Sequence, residues 1–343
     1  MTLLLGCLAL ATLNSKAQDI IQPGLPWKDT EGQIIEAHGG GLLKVKNIYY
    51  WYGENHAKGF GNKTGISCYS SKDMLHWHNE GVALPKDSVP PAYQDNSVCE
   101  RPKVIYNPAT RKYVMWMHLD DRHYYAAEAG VAIADRPTGP FHFIRAFRPV
   151  AFDYNEGKYS KAEPHLHEKE NGNTFRDMNL FVDDDGKAYV LYASESNATL
   201  YCVQLEDTYT DIRRPAVLNK TWARLFINQY REAPAPFKFR HKYYLITSAQ
   251  TGWAPNAARY SMADHILGPW TDKGNPCVGT DSSTTFHSQS TYVIPSPRGK
   301  GHFIFMADRW DSKQLQNSTY IWLPFSIAKD GSFRLLFQPA WKP

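Results

Sequence analysis

The segment KNIYYWY, residues 46–52, is a turn followed by a short aromatic strand, and four later segments repeat this pattern. They are RKYVMWM at 111–117, GKAYVLY at 186–192, RHKYYLI at 240–246 and KGHFIFM at 300–306. The matched residues Tyr50, Val114, Val190, Leu245 and Phe303 are 64, 76, 55 and 58 residues apart. This spacing is typical of a four-stranded propeller blade with loops of variable length. The sequence therefore predicts an all-β fold, a five-bladed β-propeller.

A second repeated segment supports the same fold. ADRPTGPF at 134–141 resembles ADHILGPW at 263–270, and each follows its aromatic strand as an outer blade strand would. A β-sandwich with coincidentally similar strands and turns is the weaker alternative, because five copies occur in order. No linker or low-complexity tract interrupts the chain from about Ile20 to Pro343. We therefore expect one catalytic domain over residues 19–343.

The composition excludes some classes of partner and favours another. The net charge is only +4 over 343 residues, and Lys and Arg are scattered, which argues against binding nucleic acid or an anionic membrane surface. Aromatic residues make up 14% of the chain. Aromatic rings favour strands, and they also stack on the apolar faces of sugars. We expect a monomer that acts on a plant-type polysaccharide or oligosaccharide.

Residues 1–18 resemble a signal peptide. The apolar run from Leu3 to Leu13 is too short to span a bilayer, and small residues at Ser15 and Ala17 fit a cleavage point. This pattern predicts a secreted or periplasmic protein. Alternatively, Leu4-Leu5-Gly6-Cys7 resembles a lipoprotein box, which would anchor the chain through Cys7. No later segment is long and apolar enough to cross a membrane.

Neither the cysteines nor the acidic runs indicate a metal site. The five cysteines have no CxxC spacing, which argues against zinc. Cys68 and Cys202 lie in strand-like runs, where buried free thiols are common, although disulfide pairing stays open. Asp183-Asp184-Asp185-Gly186 lacks the spacing of a calcium loop and is predicted to be a hairpin turn. We therefore predict no metal ligands and no cofactor.

Glu232 is the strongest candidate for a catalytic acid. It lies among small residues and prolines in Arg231-Glu232-Ala233-Pro234, directly before an aromatic strand. On an inner propeller strand this carboxyl would be poorly solvated, and desolvation raises a carboxyl pKa towards use as a general acid. Asp177 enters the third blade as a second acid. The alternatives are a surface glutamate before a turn, and an Asp177 that merely pairs with Arg176.

These segments resemble glycoside hydrolase family 43 over nearly the whole mature chain. Asp177 with the Asp183-Asp184-Asp185-Gly186 turn resembles one blade signature of that family, and Glu232-Ala233-Pro234 resembles its general-acid motif. The resemblance implies a five-bladed propeller and an inverting glycosidase. It also implies that Glu232 is the general acid, and that Asp177 adjusts the pKa and orientation of Glu232.

One segment departs from the family. Most members have an aspartate as general base on the first inner strand, whereas AHGGGLL at 37–43 has glycine there. The exo-β-1,3-galactanase branch also lacks this aspartate, and a glutamine on its last blade holds or activates the water. The matching residue is Gln289. Because a neutral amide is a poor base at pH 7, a carboxylate elsewhere remains an alternative proton acceptor.

The resemblance also implies a set of substrate-binding residues. Glu54 and Glu100 would bind sugar hydroxyls, and either one could supplement Gln289. His38 and His287 are weaker candidates as helpers, and some family members place a histidine near a central calcium, which leaves a structural calcium open. The further predicted substrate-binding residues are Tyr124, with its neighbour Tyr125 as the alternative, Thr251, Trp253, Asp308 and Trp310.

The leading hypothesis is an inverting exo-glycosidase that releases galactose from β-1,3-galactan or arabinogalactan-type polysaccharide. A second hypothesis keeps the fold and changes the sugar, to an α-L-arabinofuranosidase or a β-galactofuranosidase. A third is a carbohydrate-binding propeller without catalytic activity, because the usual base is missing.

Overall fold

The computed structural model describes residues 19–154 and 171–343, so the predicted signal peptide and Cys7 lie outside the described residues. The described chain forms five antiparallel sheets arranged as propeller blades, which confirms the predicted fold class. Four blades have four strands and the fifth has three. In the described part of the chain, no helix is long and apolar enough to span a bilayer. The cysteines at 68, 99, 202 and 277 are free and buried.

The strands follow one another blade by blade. The first two blades contain β1 (His38–Val45), β2 (Ile48–Glu54), β3 (Gly65–Ser71), β4 (His78–Pro85), β5 (Val98–Asn107), β6 (Lys112–Asp120), β7 (Glu128–Ala134) and β8 (His142–Phe147). The next two contain β9 (Met178–Val182), β10 (Ala188–Ser194), β11 (Thr199–Gln204), β12 (Trp222–Leu225), β13 (Arg231–Phe239), β14 (Lys242–Ala249), β15 (Arg259–Ala263) and β16 (Thr271–Asp272). The fifth blade contains β18 (Gln289–Pro295), β19 (His302–Arg309) and β20 (Thr319–Ser326), beside the parallel pair β17 (Cys277–Val278) and β21 (Leu335–Leu336). Short 3₁₀ helices lie at Lys86–Ser88, Pro91–Tyr93, Ser282–Thr284 and Leu315–Asn317.

The five aromatic repeats form the second strand of each blade, β2, β6, β10, β14 and β19. Each second strand is flanked by neighbours on both edges, and its faces pack against adjacent blades; β10, for example, is buried along its whole length. Strands buried on both faces have continuous apolar runs instead of alternating patterns. This burial explains why the repeats are so rich in aromatic residues.

The second repeated segment has a different position from the one expected. Residues 134–141 and 263–270 connect the third strand to the outer strand in blades two and four, because β8 begins at His142 and β16 at Thr271. The predicted fold is unaffected, since both copies occupy the same place in their blades.

Aromatic side chains fill the space between blades one and five. The rings of Trp51 and Trp322 lie 4.8 Å apart, and Trp77 packs edge-on against both. These three side chains are almost fully buried, so they form core and are closed to any ligand. Near the ends of the described chain, Ile21 pairs with Trp341 and closes the ring against the fifth blade.

The first strands of the blades, β1, β5, β9, β13 and β18, contact one another in a closed ring around the propeller axis. Antiparallel pairing is interrupted by a bulge near the beginning of β1, β5, β13 and β18. A bulge bends a strand and redirects its side chains. In four of the five inner strands, a bulge therefore redirects the first side chains. These strand ends lie at the same end of the propeller axis.

Candidate active site

A pocket of about 240 Å³ lies at this end of the axis and receives side chains from all five blades. Eight of the ten predicted site residues line it: Glu54, Glu100, Tyr124, Asp177, Glu232, Trp253, Gln289 and Trp310. The other lining residues are Arg101, His118, Arg176, Asn197 and Gly252. A small pocket with several convergent polar groups is the usual form of a ligand site.

Glu232 lies at the bulge of β13, where the next residue, Ala233, has a left-handed backbone with φ of 51°. Its carboxyl accepts a hydrogen bond of 3.0 Å from Asn197 Nδ2. Burial, and next the charge of Asp177, raise the pKa of Glu232 to about 8, against the lowering effect of Arg101. The carboxyl therefore keeps its proton at neutral pH, as a general acid must.

Asp177 precedes β9 and is bound to the backbone beside Glu232. Its Oδ2 accepts a 3.0 Å hydrogen bond from the amide of Ala233, directly after Glu232. Both carboxylate oxygens also contact the Arg101 guanidinium at 3.1 Å. Asp177 therefore fixes the backbone from which Glu232 projects, and it raises the pKa of the acid through its negative charge. That Asp177 adjusts the pKa and orientation of Glu232 during catalysis stays a prediction.

Gln289 begins β18 and has a fully engaged amide oxygen. Its Oε1 accepts hydrogen bonds from the Arg101 guanidinium and, at 3.3 Å, from Trp310 Nε1. Both of these groups are donors only, which fixes the orientation of the amide. The Nε2 group donates to Ser248 Oγ at 3.0 Å and has a second hydrogen left. Gln289 is therefore arranged to donate to a water and not to accept its proton.

Gly39, in the segment where the family resemblance places the missing base, lies at the bulge of β1. Gly39 has a φ of 57°, and a Cβ built on it would lie 2.0 Å from Glu54 Oε1. Glu54 is held there by two hydrogen bonds of 2.9 Å, from the amide of Arg101 and from His56 Nε2. The Glu54 carboxylate thus occupies the space that an aspartate at position 39 would need.

Glu100, like Glu54, is a pocket-lining carboxylate that was predicted to bind sugar hydroxyls. Its Oε1 accepts a 2.8 Å hydrogen bond from the Tyr124 hydroxyl, and its Oε2 lies 3.4 Å from His118 Nδ1. His118 Nε2 lies 2.9 Å from the buried Asp120. Burial lowers the pKa of His118, but the hydrogen bonds with Asp120 and Glu100 outweigh burial and raise it to about 9. The imidazole of His118 is therefore protonated, and its positive charge stabilises the neighbouring Glu100 carboxylate.

Two tryptophans give the pocket an apolar side. The rings of Trp253 and Trp310 lie 5.7 Å apart and nearly perpendicular, and the Arg101 guanidinium lies 5.7 Å from the Trp310 ring. Trp253 is 43% exposed, which is unusual for so large an apolar side chain. An exposed indole next to carboxylates suits a sugar, which has apolar C–H faces and hydroxyl edges.

Two predicted binding residues do not line the pocket. Asp308 is buried behind it and accepts hydrogen bonds from the amide of Gly39 at 2.9 Å and from His38 Nδ1 at 3.0 Å. The Thr251 hydroxyl is exposed and bonds within its own loop, to the carbonyl of Ala254. Asp308 was predicted to contact sugar directly, but its buried carboxylate stabilises the β1 bulge instead.

The two histidines named as helpers also lie outside the pocket. His38 is buried beside Asp308, and the exposed side chain of His287 lies 3.4 Å from Asp281. Among the described residues, no three His, Cys, Asp or Glu side chains are grouped so that they could hold a metal ion. Asp183, in the acidic turn between β9 and β10, bonds to Lys238 and Tyr243.

Four polar residues that line the pocket were missed by sequence reasoning: Arg101, His118, Arg176 and Asn197. Arg101 is the most important, because it contacts Asp177 and Gln289 and its amide holds Glu54. Its neighbour Glu100 was predicted from the sequence, but the bulge that turns the Arg101 side chain inward leaves no signal in the pattern.

Comparisons with known proteins identify the family of this chain. The family model described as Glycosyl hydrolases family 43 matches residues 41–333. A solved GH43 β-1,3-galactosidase in complex with galactodeoxynojirimycin is 41% identical, with a TM-score of 0.85; the match covers 94% of this chain and all of that one. No curated protein sequence is matched.

Two solved exo-β-1,3-galactanases are also similar. The enzyme from Clostridium thermocellum is 36% identical with a TM-score of 0.81, and the match covers 94% of this chain and 66% of that one. The enzyme from Phanerochaete chrysosporium, solved as a Glu-to-Gln variant with β-1,3-galactotriose, is 31% identical with a TM-score of 0.80, covering 95% and 68%. The family model and these structures, together with the pocket on the propeller axis, show that the chain belongs to glycosyl hydrolase family 43 and is a glycoside hydrolase.

Proposed function

We propose that the protein is an inverting exo-glycosidase that releases galactose from β-1,3-galactan and from the galactan backbone of arabinogalactan-type polysaccharides. The observation that carries this proposal is the buried, protonated Glu232 beside Asp177 in a pocket that has no base on β1. The similarity to β-1,3-galactosidase and exo-β-1,3-galactanase structures supports galactose as the sugar.

Glu232 acts as the general acid. Its pKa of about 8 keeps the proton in place at neutral pH, and the proton passes to the glycosidic oxygen as the bond breaks. The transition state then has positive character on the sugar ring, and the carboxylates of Asp177, Glu54 and Glu100 stabilise that charge. Asn197 holds the carboxyl of Glu232 in position for the transfer.

Gln289 positions the attacking water on the opposite face of the sugar. Its oxygen is occupied by Arg101 and Trp310, so its free N–H is the group left to bind the water. The proton of the water then needs a carboxylate. The side chain of Glu100 is 18% exposed, whereas that of Glu54 is 5% exposed, which makes Glu100 the better acceptor.

The size and place of the pocket support attack at a chain end. The site is small and lies over the propeller axis, where side chains from all five blades close around it. A single terminal sugar can enter such a site without the rest of the polymer. The same geometry suits a terminal arabinofuranose or galactofuranose, which keeps those two activities as alternatives for the experiment to separate.

A substrate panel tests the proposal. The protein is incubated with β-1,3-galactan, arabinan, xylan and aryl glycosides, and the released sugars are identified by chromatography. We expect free galactose from β-1,3-galactan and none of the other polymers to be degraded. Arabinose as the main product would favour the arabinofuranosidase hypothesis. Binding to galactan without release of any sugar would favour the non-catalytic hypothesis.

We also propose that the protein acts outside the cytoplasm, because its polymeric substrate does not enter cells intact. The predicted leader, residues 1–18, carries this proposal. N-terminal sequencing of the mature protein tests it: cleavage after residue 17 or 18 is expected, a lipid-modified Cys7 would indicate membrane anchoring, and an intact Met1 would contradict export by this leader.

A further inference from the structure

Lys103 is a buried lysine that the proposed reaction does not use. It lies on β5, two residues after Arg101, and is only 1% exposed. Burying an ammonium group is costly unless strong hydrogen bonds compensate. Burial, and next the positive charge of Arg101, lower the pKa of Lys103 to about 7, against the raising effect of the nearby carboxylates. A buried lysine at this position indicates that its amino group has a specific role in the protein.

The ammonium group links two inner strands. Lys103 Nζ donates to the carbonyl of Gly39 on β1 at 2.8 Å and to the carbonyl of Arg101 on β5 at 3.3 Å. Gly39 and Arg101 both have left-handed backbones, with φ of 57° and 54°, and both lie at bulges. Left-handed backbone is unfavourable for a residue such as arginine unless its surroundings hold it.

The same two residues hold carboxylates through their amides. The amide of Gly39 donates to Asp308, and the amide of Arg101 donates to Glu54, both at 2.9 Å. Because the carbonyl and the amide of each residue are both engaged, the conformation of each bulge is fixed from two sides. In both residues, the carbonyl accepts its hydrogen bond from Lys103 Nζ.

Gly41 makes room for the lysine stem to reach β1. A Cβ at Gly41 would lie 2.7 Å from Lys103 Cδ and 3.1 Å from Tyr292 Cδ2. Two glycines of the triplet at 39–41 therefore have separate tasks. Gly39 leaves space for the Glu54 carboxylate, and Gly41 leaves space for Lys103.

We propose that Lys103 is a positioning residue whose ammonium ties the β1 bulge to the β5 bulge and thereby places Glu54 and Arg101 in the sugar pocket. The inference rests on the proposed function, because Glu54 and Arg101, which Lys103 positions, are groups of the proposed galactoside site. It assigns a role to a buried residue that is not among those lining the pocket.

The charged groups around Lys103 decide how its task depends on pH. Opposite charges come from Glu54 on β2, Asp177 before β9 and Asp308 on β19, whereas Arg101 on β5 has the same charge. The neighbouring phenol of Tyr292 on β18 is neutral, because burial raises its pKa to about 12. Loss of the proton from Lys103 would leave the carbonyls with weaker, uncharged donors and remove a cation near three carboxylates.

The experiment measures binding of β-1,3-galactobiose by calorimetry in a Glu232→Gln background, which prevents turnover and removes the titration of Glu232. Lys103→Met is the test variant, because methionine keeps the stem and removes the charge. Lys238→Met is the matched control: Lys238 also lies on an inner strand, β13, and pairs with Asp183 away from the pocket.

We expect Lys103→Met to weaken binding about tenfold or more, as for lost charge-assisted hydrogen bonds, and Lys238→Met to leave it unchanged. In Glu232→Gln alone, we expect affinity to fall as the pH rises through about 7, and this step should be absent in the double variant with Lys103→Met. Equal affinities with and without Lys103, or the same pH step in both proteins, would overturn the proposal. The pH step in Glu232→Gln needs no change at Lys103, so it stays informative if Lys103→Met fails to fold.

Crystal structures provide a test without substrate. In Lys103→Met we expect the backbone at residues 39 and 101 and the Glu54 carboxylate to shift relative to the parent protein. An unchanged position of all three would contradict the proposal even if binding is weaker. A wild-type protein that neither binds nor cleaves galactosides would instead contradict the proposed function, and the crystal structures would still decide the task of Lys103.

Discussion

Glu232 combines three features that a general acid needs: burial, a neighbouring negative charge and a fixed position. Burial and Asp177 raise its pKa to about 8, while Asn197 and the bulge after Glu232 set its orientation. Arg101 forms an ion pair with Asp177, so its positive charge partly offsets the effect of Asp177 on the pKa of Glu232. The protein can therefore keep Glu232 protonated and Asp177 charged within one small pocket.

Glu232→Gln tests the acid directly. We expect kcat on β-1,3-galactobiose to fall about 10²–10⁴-fold, the usual range for a lost general acid, with a smaller loss on an aryl galactoside whose leaving group needs no proton. Steady-state kinetics on both substrates measure this difference. Glu80→Gln, on the exposed strand β4, is the matched control. An unchanged rate on both substrates would remove Glu232 from the mechanism.

The pH profile tests the link between Asp177 and Glu232. The acid must be protonated, so kcat at saturating substrate should fall as the pH rises through about 8. Asp177→Asn removes a charge that raises this pKa, so the fall should begin at lower pH. Asp185→Asn, in the exposed turn of the same blade, should leave the profile unchanged. A fall that moves to higher pH in Asp177→Asn would contradict the electrostatic account.

Gln289→Ala tests the role of the water-positioning residue. We expect a large loss of kcat and little change in the affinity for galactose, because the amide contacts the water more than the sugar. Kinetics combined with calorimetry separate the two effects. If Gln289→Ala turns over substrate at the normal rate, another group must hold the water.

The presence of Glu232 and Asp177 in the pocket was predictable because each lies in a short segment that resembles a family motif. Arg101 was not, because its inward direction depends on a bulge with left-handed backbone. Asp308 was expected to contact sugar, but its buried carboxylate binds the amide of Gly39 instead. Residue type and local pattern therefore indicate a charged site, while the direction of each side chain comes from tertiary structure.

At the scale of elements, the bulges near the beginning of β1, β5, β13 and β18 are the main device that forms the site. The aromatic repeats were recognisable because second strands are buried on both faces and carry long apolar runs. The inner strands mix glycine, proline and polar residues with apolar ones. Their order along the chain was predictable, whereas their bulges were not.

Gly39→Asp tests whether the usual family base can be restored on β1. We expect it to abolish activity, because the new Cβ would lie 2.0 Å from the Glu54 carboxylate and the backbone is left-handed. Gly59→Ala is a control for backbone strain alone, since Gly59 has a φ of 83° and open space around it. Galactose release measures the outcome. A faster Gly39→Asp enzyme would show that β1 can still hold a base.

At the scale of the whole molecule, five blades bring side chains that are far apart in sequence into one pocket. Glu54 and Trp310 meet there although they belong to the first and last blades. The number of blades and the fold class were predictable from the repeats, because each blade needs the same second strand. Glu232 on β13 and Gln289 on β18 come from neighbouring inner strands, so their meeting in one pocket follows from the packing of blade four against blade five.

The central claim is that Glu232 and Gln289 act on opposite faces of a terminal galactose, with inversion. Proton NMR during hydrolysis of β-1,3-galactotriose tests this claim most directly, because it follows both the anomer and the size of the products. We predict α-galactose as the first monosaccharide, together with β-1,3-galactobiose, before mutarotation mixes the anomers. Initial release of β-galactose would contradict the inverting mechanism assigned to this pocket.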